Sequence, residues 1–332
     1  MIKYAKGENI TENGLLGNEK LSEMFSEKIK NGTLSHAYLL TGPEGSGKST
    51  FVMHVIKEMF CESKDERPCG RCGGCKKVEA LLHPDLQILK KDPQDATIKV
   101  KAVREFLRGI ELSPNEAPFK VYVIDDAQTL GKEAQNALLK TLEEPTGKAK
   151  FFLLATTDAT LLSTVRSRCM SFSMEAVPQK KLMSHLMKKY NCDEESAEKA
   201  ARLSEGYVGA AYNVMEKKGS YTLRDTSFEI LNTLVTEGKA QGAVLLGAKA
   251  TNKESLISLY SDLQLAMRDV AARSYGSAHP QYFWSEEQRA QISRRISLAK
   301  ALSLYELLEK EKNELYRNGN VQLSVLRFIS AV

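Results

Sequence analysis

Eight residues, Gly42-Pro43-Glu44-Gly45-Ser46-Gly47-Lys48-Ser49, meet the spacing G-x-x-x-x-G-K-[ST] at every fixed position. Glycines in such a run let backbone N–H groups turn inward on phosphates, and a following helix N-terminus adds partial positive charge. Gly42, Gly45 and Gly47 would shape the cradle. Lys48 would reach the β- and γ-phosphates, and Ser49, with Thr50 beside it, would offer a hydroxyl to Mg2+. The chemistry implied is binding of ATP with Mg2+; hydrolysis is a separate matter. A glycine-rich turn that binds nothing is the bland alternative, and the flanking pattern argues against it.

A second element suits the same ligand. Lys120-Val121-Tyr122-Val123-Ile124 is an apolar strand ending in Asp125-Asp126, the form of a Walker B strand. Asp125 would hold the Mg2+ water shell, and Asp126 stands where an attacking water is oriented. Alone, the run also fits a strand ending in a solvated acidic turn. Phe151–Ala155 leads into Thr156-Thr157, two hydroxyls at a strand's C-terminal end, where ligands bind in parallel sheets. They suit γ-phosphate sensing, or an ordinary turn or cap.

Four of the six cysteines lie between Cys61 and Cys75. Cys69, Cys72 and Cys75 form C-x2-C-x2-C, with Cys61 upstream. Four thiolates complete a closed tetrahedral zinc site, with no open position for catalysis. An iron–sulfur cluster is the rival, but its usual run carries the fourth cysteine downstream, followed by proline. Here Lys76 follows Cys75.

The elements that must position these groups follow from periodicity. Strands are expected at Ala37–Thr41, Leu86–Leu89, Lys120–Asp125, Phe151–Thr156 and Met170–Phe172. Helices are expected at Lys48–Phe60, Val100–Glu111 and Gly131–Glu143 between them, an α/β pattern with a parallel sheet. After Pro178 the chain reads as helical throughout: Pro178–Tyr190, Asp193–Ser204, Tyr207–Lys218, a hinge at Gly219-Ser220, then Glu254–Tyr275 and Ser285–Tyr316. The 332 residues are 42% hydrophobic and 27% charged, with net charge +5. That composition is ordinary for a water-soluble protein and permits nucleic-acid contact without demanding it. No apolar run is long enough to cross a bilayer, and Met1–Gly14 lacks a signal peptide's apolar core. The expected location is the cytoplasm, with no membrane partner.

Taken in order, these motifs resemble the clamp-loader branch of the AAA+ ATPases, and within it the delta-prime type of DNA polymerase III subunit. Further residues carry the likeness: Leu16-Gly17-Asn18-Glu19, Ser35-His36-Ala37-Tyr38-Leu39, His83-Pro84-Asp85, the run Asn136–Pro145, Ser167-Arg168-Cys169 and Asn318-Gly319-Asn320. The resemblance implies an AAA+ α/β P-loop domain with a parallel sheet over residues 1–176, its zinc knuckle at 61–75. A helical lid over 177–219 and a helical collar over 220–332 would follow. It implies a pentameric hetero-oligomer with gamma/tau and delta subunits that places a sliding clamp on primed DNA. Arg168 would be an arginine finger acting in trans on a neighbour's ATP; Arg166 lies close enough to need its own control.

Two departures from an active loader ATPase are visible. Asp126 replaces the usual glutamate, and Gly209 stands where motor subunits carry a lid arginine. They imply a chain that binds ATP and hydrolyses it poorly alone. The alternatives are a gamma/tau-like motor subunit and, more remotely, a small-molecule kinase. Finally, Val100, Val103, Leu107 and Ile110 share one face at helical spacing, flanked by Lys101, Arg104 and Arg108. That basic stripe suits phosphates of a primer–template duplex, or plain solvation.

Overall fold

The structure is a computed structural model that describes residues 10–11, 14–92, 95, 97–145, 148–216, 224–250, 252–274, 286–317 and 319–332. They fall into two compact units, residues 1–178 with 207–209, and residues 179–206 with 210–332.

The first unit is built on a sheet. A two-residue hairpin, β1 (Ile10–Thr11) and β2 (Gly14–Leu15), precedes helix α1 (Glu19–Lys30). Strand β3 (Ala37–Thr41), β4 (Leu86–Leu89), β5 (Lys120–Ile124), β6 (Ala149–Ala155) and β7 (Met170–Ser173) lie side by side in the order β4-β5-β6-β3-β7. Every neighbouring pair is parallel. Parallel strands need crossovers, and helices supply them: α2 (Lys48–Phe60), α3 (Gly73–Glu79), α4 (Val100–Phe106), α5 (Lys132–Glu143) and the short α6 (Ser163–Arg166).

Helices on both faces explain why β3, β5 and β6 are nearly continuous apolar runs. Successive residues alternate between two cores. Leu39, Tyr122, Ile124, Phe151 and Leu153 pack with Val103 of α4 and Leu138 of α5. Tyr38, Leu40, Val121, Val123, Phe152 and Leu154 pack on the other face with Phe25 of α1 and Phe51 and Val55 of α2. Removing a buried leucine from such a layer costs about 2–5 kcal/mol.

In the second unit the described residues form helices: α7 (Gln179–Tyr190), α8 (Glu194–Leu203), most of α9 (Val208–Met215), α10 (Arg224–Thr236), α11 (Lys239–Lys249), α12 (Lys253–Ser274), α13 (Glu286–Ser293), α14 (Leu298–Tyr316) and α15 (Val321–Ala331). Tyr260, Leu263, Met267 and Val270 of α12 meet Leu304, Leu308 and Leu315 of α14 and Phe328 of α15 in one core. In α7–α9, Leu182, Leu186, Ala197 and Ala200 are buried, and His185 Nε2 lies 2.6 Å from Tyr212 Oη.

Three expected helices need correction. The segment expected as Val100–Glu111 stops being helical at Phe106. Arg108 N donates to Glu105 O and Ile110 N to Leu107 O, three-residue turns, and Gly109 has φ 72°. Leu107 and Ile110 still pack on the core with Val100 and Val103, so the expected apolar face persists after the helical hydrogen bonding ends. The expected Ser285–Tyr316 helix is broken between α13 and α14. There Ser297 adopts extended backbone and its side chain accepts from Lys300 N, starting a new helix. The expected Tyr207–Lys218 helix runs Val208–Met215, and the Gly219-Ser220 hinge lies outside the described residues.

Candidate nucleotide site, arginine and thiol cluster

The chain leaves β3 at Thr41 and enters the glycine loop at once; Gly42 N donates to Ala155 O of β6, tying the loop's start to the sheet. Gly45 and Gly47 have φ 77° and 90°, conformations that L side chains rarely adopt, and Gly47 caps α2. Lys48 Nζ donates to Gly42 O at 2.6 Å and Pro43 O at 2.9 Å, so the ammonium lies against the loop's own carbonyls. Burial pushes its pKa below the usual lysine value, opposed by the carboxylates of Asp125, Asp126 and Glu44. Ser49 and Thr50 follow in the first turn of α2, half-buried.

Asp125 lies one residue beyond β5, with its N–H on Leu89 O of β4. Its carboxylate is buried and both oxygens are engaged: Oδ1 accepts from Asp126 N at 3.2 Å, and Oδ2 is 2.5 Å from Lys90 Nζ. Asp126 has φ 58°, and its Oδ1 accepts from Gln128 Nε2 at 3.2 Å. Gln128 Oε1 in turn accepts from Thr156 N at 3.1 Å, linking the end of β5 to the end of β6. The two threonines differ. Thr157 Oγ1 accepts from Ala159 N, an ordinary turn, whereas Thr156 Oγ1 is buried with no hydrogen-bond partner. This orphaned hydroxyl, at the end of the strand beside β3, would take a terminal phosphate once the groups that cover it move aside. The loop and α2 fit a triphosphate. The carboxylate that would serve a divalent cation does not fit one as it stands, because Lys90 holds it.

Gly209 belongs to this unit, and its N–H donates to Gly45 O at 2.9 Å. A Cβ at position 209 would come 2.9 Å from that oxygen and 3.1 Å from Gly45 Cα, so a side chain there requires the loop to move.

Arg168 follows α6. Its Nη2 is 2.8 Å from Glu143 Oε1 at the end of α5, its Nη1 donates to Thr164 O at 2.8 Å, and the side chain keeps 33% exposure. Arg166 pairs with Asp158 at 2.8 Å. Between them and β7, burial pushes the Cys169 thiol up to about 12, a packed thiol rather than a reactive one.

Cys61, Cys69, Cys72 and Cys75 place all four Sγ atoms within 4.8 Å of one another. Backbone donors aim at the sulfurs: Cys69 N at Cys61 Sγ and Cys75 N at Cys72 Sγ, both 3.4 Å. The N–H groups of Arg71 and Cys72 draw the Cys69 thiol down to about 6, while burial pushes Cys75 up. Four clustered sulfurs with N–H···S support fit a tetrahedral thiolate metal. Lys101, Arg104 and Arg108 are all exposed, the first two on α4 and the third in the turn after it. Sequence reasoning missed Lys90, Gln128 and the Glu143 partner of Arg168; each depends on a pairing between segments far apart in the chain.

The model of a family described as "DNA polymerase III, delta subunit" matches residues 17–178. A DNA polymerase III subunit gamma of Buchnera aphidicola subsp. Schizaphis graminum is 29% identical, covering 94% of this chain and 92% of its own. The DNA polymerase III subunit delta' of Escherichia coli is 29% identical, covering 73% of this chain and 72% of its own. The tau/gamma subunit of Haemophilus influenzae is 37% identical over 52% of this chain, which spans only 25% of that longer protein. Among solved structures, Thermotoga maritima RuvB aligns with a TM-score of 0.45 and 18% identity, over 70% of this chain and 82% of its own. No described helix is long and apolar enough to cross a membrane.

Proposed function

This chain belongs to the clamp-loader family of DNA polymerase III subunits, and we propose that within it the chain works as a delta-prime-like stator. In this reading it joins gamma/tau and delta subunits in a pentameric loader in the cytoplasm that places a sliding clamp on primed DNA. It binds ATP in cis and donates Arg168 in trans. Residues 1–176, 177–219 and 220–332 would serve as nucleotide domain, lid and collar. Zn2+ held by Cys61, Cys69, Cys72 and Cys75 would brace the nucleotide domain as a structural ion, and Lys101, Arg104 and Arg108 would touch duplex phosphates.

The observation that carries the reading is a contrast. Groups that would run hydrolysis in cis are engaged within the chain: Lys48 on loop carbonyls, Asp125 with Lys90, Asp126 with Gln128. Arg168, by contrast, is partly exposed, its guanidinium held by Glu143, Thr164 and Ser167. A guanidinium delivered from a neighbour stabilises charge on the transferred phosphoryl oxygens and makes hydrolysis conditional on assembly.

A motor subunit of gamma/tau type is the second reading, favoured by the intact glycine loop and the orphaned Thr156 hydroxyl. ATP turnover separates the two, measured on the chain alone and in a loader reconstituted with clamp and primed DNA. A stator predicts a silent isolated chain, and a complex that loses most of its stimulated turnover on Arg168→Ala but not on Arg166→Ala. Strong turnover by the chain alone, indifferent to Arg168, would sink the proposal.

A further inference from the structure

We infer that Lys90 is a built-in counter-cation for Asp125, and that this chain therefore binds nucleoside polyphosphates without needing a divalent cation. The inference rests on the reading of the glycine loop as a nucleotide site.

The placement of Lys90 follows from sheet register. Strand β4 runs parallel to β5 with Leu89 opposite Ile124, and Asp125 N extends that ladder by donating to Leu89 O at 2.9 Å. Lys90 and Asp125 are thus the next residues out on adjacent strands, at the C-terminal end of the sheet where the glycine loop also lies. The 2.5 Å contact between Nζ and Oδ2 joins two side chains of 27% and 9% exposure. A charge-assisted hydrogen bond in so shielded a place is stronger than a surface ion pair.

Two further observations bear on the divalent cation. Oδ1 of Asp125 is taken by Asp126 N, leaving neither carboxylate oxygen unengaged. Asp126, the next carboxylate, is turned onto Gln128. A Mg2+ ion requires oxygen ligands at about 2.0–2.1 Å in near-octahedral geometry, so it would have to evict the ammonium or be repelled by it. Lys90 already supplies positive charge at this corner, and Lys48 supplies it under the loop. A polyphosphate would meet two fixed ammonium groups and the N-terminus of α2.

The test is a titration of full-length protein with a fluorescent ATP analogue, once in excess Mg2+ and once in EDTA. It uses wild type, Lys90→Met, the charge-keeping Lys90→Arg, and Lys90→Met/Asp125→Asn, which removes the carboxylate that Lys90→Met leaves unpaired. Unfolding midpoints accompany each, so that a collapsed variant is recognised. The expected result is a wild-type Kd that changes less than threefold between the two buffers. Lys90→Met should bind at least tenfold more weakly in EDTA and recover in Mg2+, while Lys90→Arg keeps the wild-type pattern. A wild-type protein that needs Mg2+ by tenfold or more would overturn the inference while leaving the nucleotide site intact. So would a folded Lys90→Met, or the folded double variant if the single one collapses, that matches wild type in both buffers. Absence of binding by wild type in either buffer would overturn the nucleotide reading and the inference together.

Discussion

The glycines of the thiol cluster offer a graded test of whether it is a built metal site. Gly74 is the second residue of α3, between Cys72 and Cys75, and a Cβ built there would lie 2.1 Å from Phe60 O, a backbone atom at the end of α2. Carbon and oxygen in contact need more than 3 Å, so Gly74→Ala must shift one of two backbone segments by about 1 Å, the scale of overpacking that typically costs 1–3 kcal/mol or more. The same shift displaces thiols whose metal distances tolerate only about 0.2 Å. At Gly73 the obstructing atom is Glu62 Oε1 at 3.0 Å, the end of a flexible side chain. At Gly70 a Cβ meets nothing within 4 Å, and only the left-handed φ of 69° is strained, roughly 1 kcal/mol. The expected order of damage is Gly74→Ala, then Gly70→Ala, then Gly73→Ala. Gly74→Ala should lose about 3 kcal/mol of zinc-dependent stability, roughly 100-fold in metal affinity. Chelator competition monitored at the Cd2+–thiolate charge-transfer band, with urea melts with and without zinc, reads both quantities. If Gly74→Ala binds metal as tightly as Gly70→Ala, the packing argument is wrong; if wild type binds no metal, the site itself is.

Thr156→Val replaces an unpartnered hydroxyl by a methyl and should leave folding stability within about 0.5 kcal/mol. It should cut the preference for ATP over ADP by roughly tenfold, the value of a hydrogen bond to a charged group; unchanged discrimination in a competition assay would refute the γ-phosphate role. Gly209→Arg should cost about 1–3 kcal/mol in a urea melt and weaken nucleotide binding, because its Cβ meets Gly45 O at 2.9 Å; tighter binding at undiminished stability would contradict this. Asp85, despite burial that would raise its pKa, is held below the usual carboxylate value by N–H donors of Ala117, Asn115 and Glu116. Because the folded value is the lower one, its stabilisation is complete above the unfolded pKa of about 4 and is lost as pH falls through the folded value. The stability gap between wild type and Asp85→Asn should therefore be widest near neutrality and shrink below about pH 4, which denaturant titrations at several pH values would reveal.

How much of this the sequence disclosed depended on the range of the interaction. Strand β3 and helix α2 are legible to the residue, because an apolar run meets a glycine loop whose start and stop are local. The thiol cluster is legible because its four cysteines lie close together in the chain. Helix α4 is misjudged because apolar periodicity reports which face is buried, not which carbonyl each N–H reaches; Leu107 and Ile110 go on packing after the helix has ended. The break before α14 carries no proline or glycine, only Ser297, whose capping role depends on extended backbone at that residue. Lys90 is opaque for a different reason. Nothing local distinguishes it from Lys91, and only the β4–β5 register brings it to Asp125.

If Arg168 acts in trans as proposed, its partner bears on whether the finger is held ready or held back. Glu143 and Arg168 pair at 2.8 Å with 47% and 33% exposure, and pairs this open contribute at most about 1 kcal/mol. One kcal/mol changes the population of a given arginine orientation by about fivefold, whereas a finger's removal costs roughly 10³ or more in turnover. Glu143→Gln should therefore change a neighbour's stimulated ATP turnover by no more than about fivefold, against the much deeper loss on Arg168→Ala. The direction is the informative part. Thr164 O and Ser167 Oγ hold Nη1 independently of Glu143, so the guanidinium stays anchored when the carboxylate is neutralised. A carboxylate within reach also offsets the positive charge that a neighbour's phosphates would need. The expected change is thus a modest rise, largest at low salt, where the ion pair is least screened. A fall as deep as that of Arg168→Ala would mean that Glu143 aims the finger, and the charge-offset argument would then be wrong.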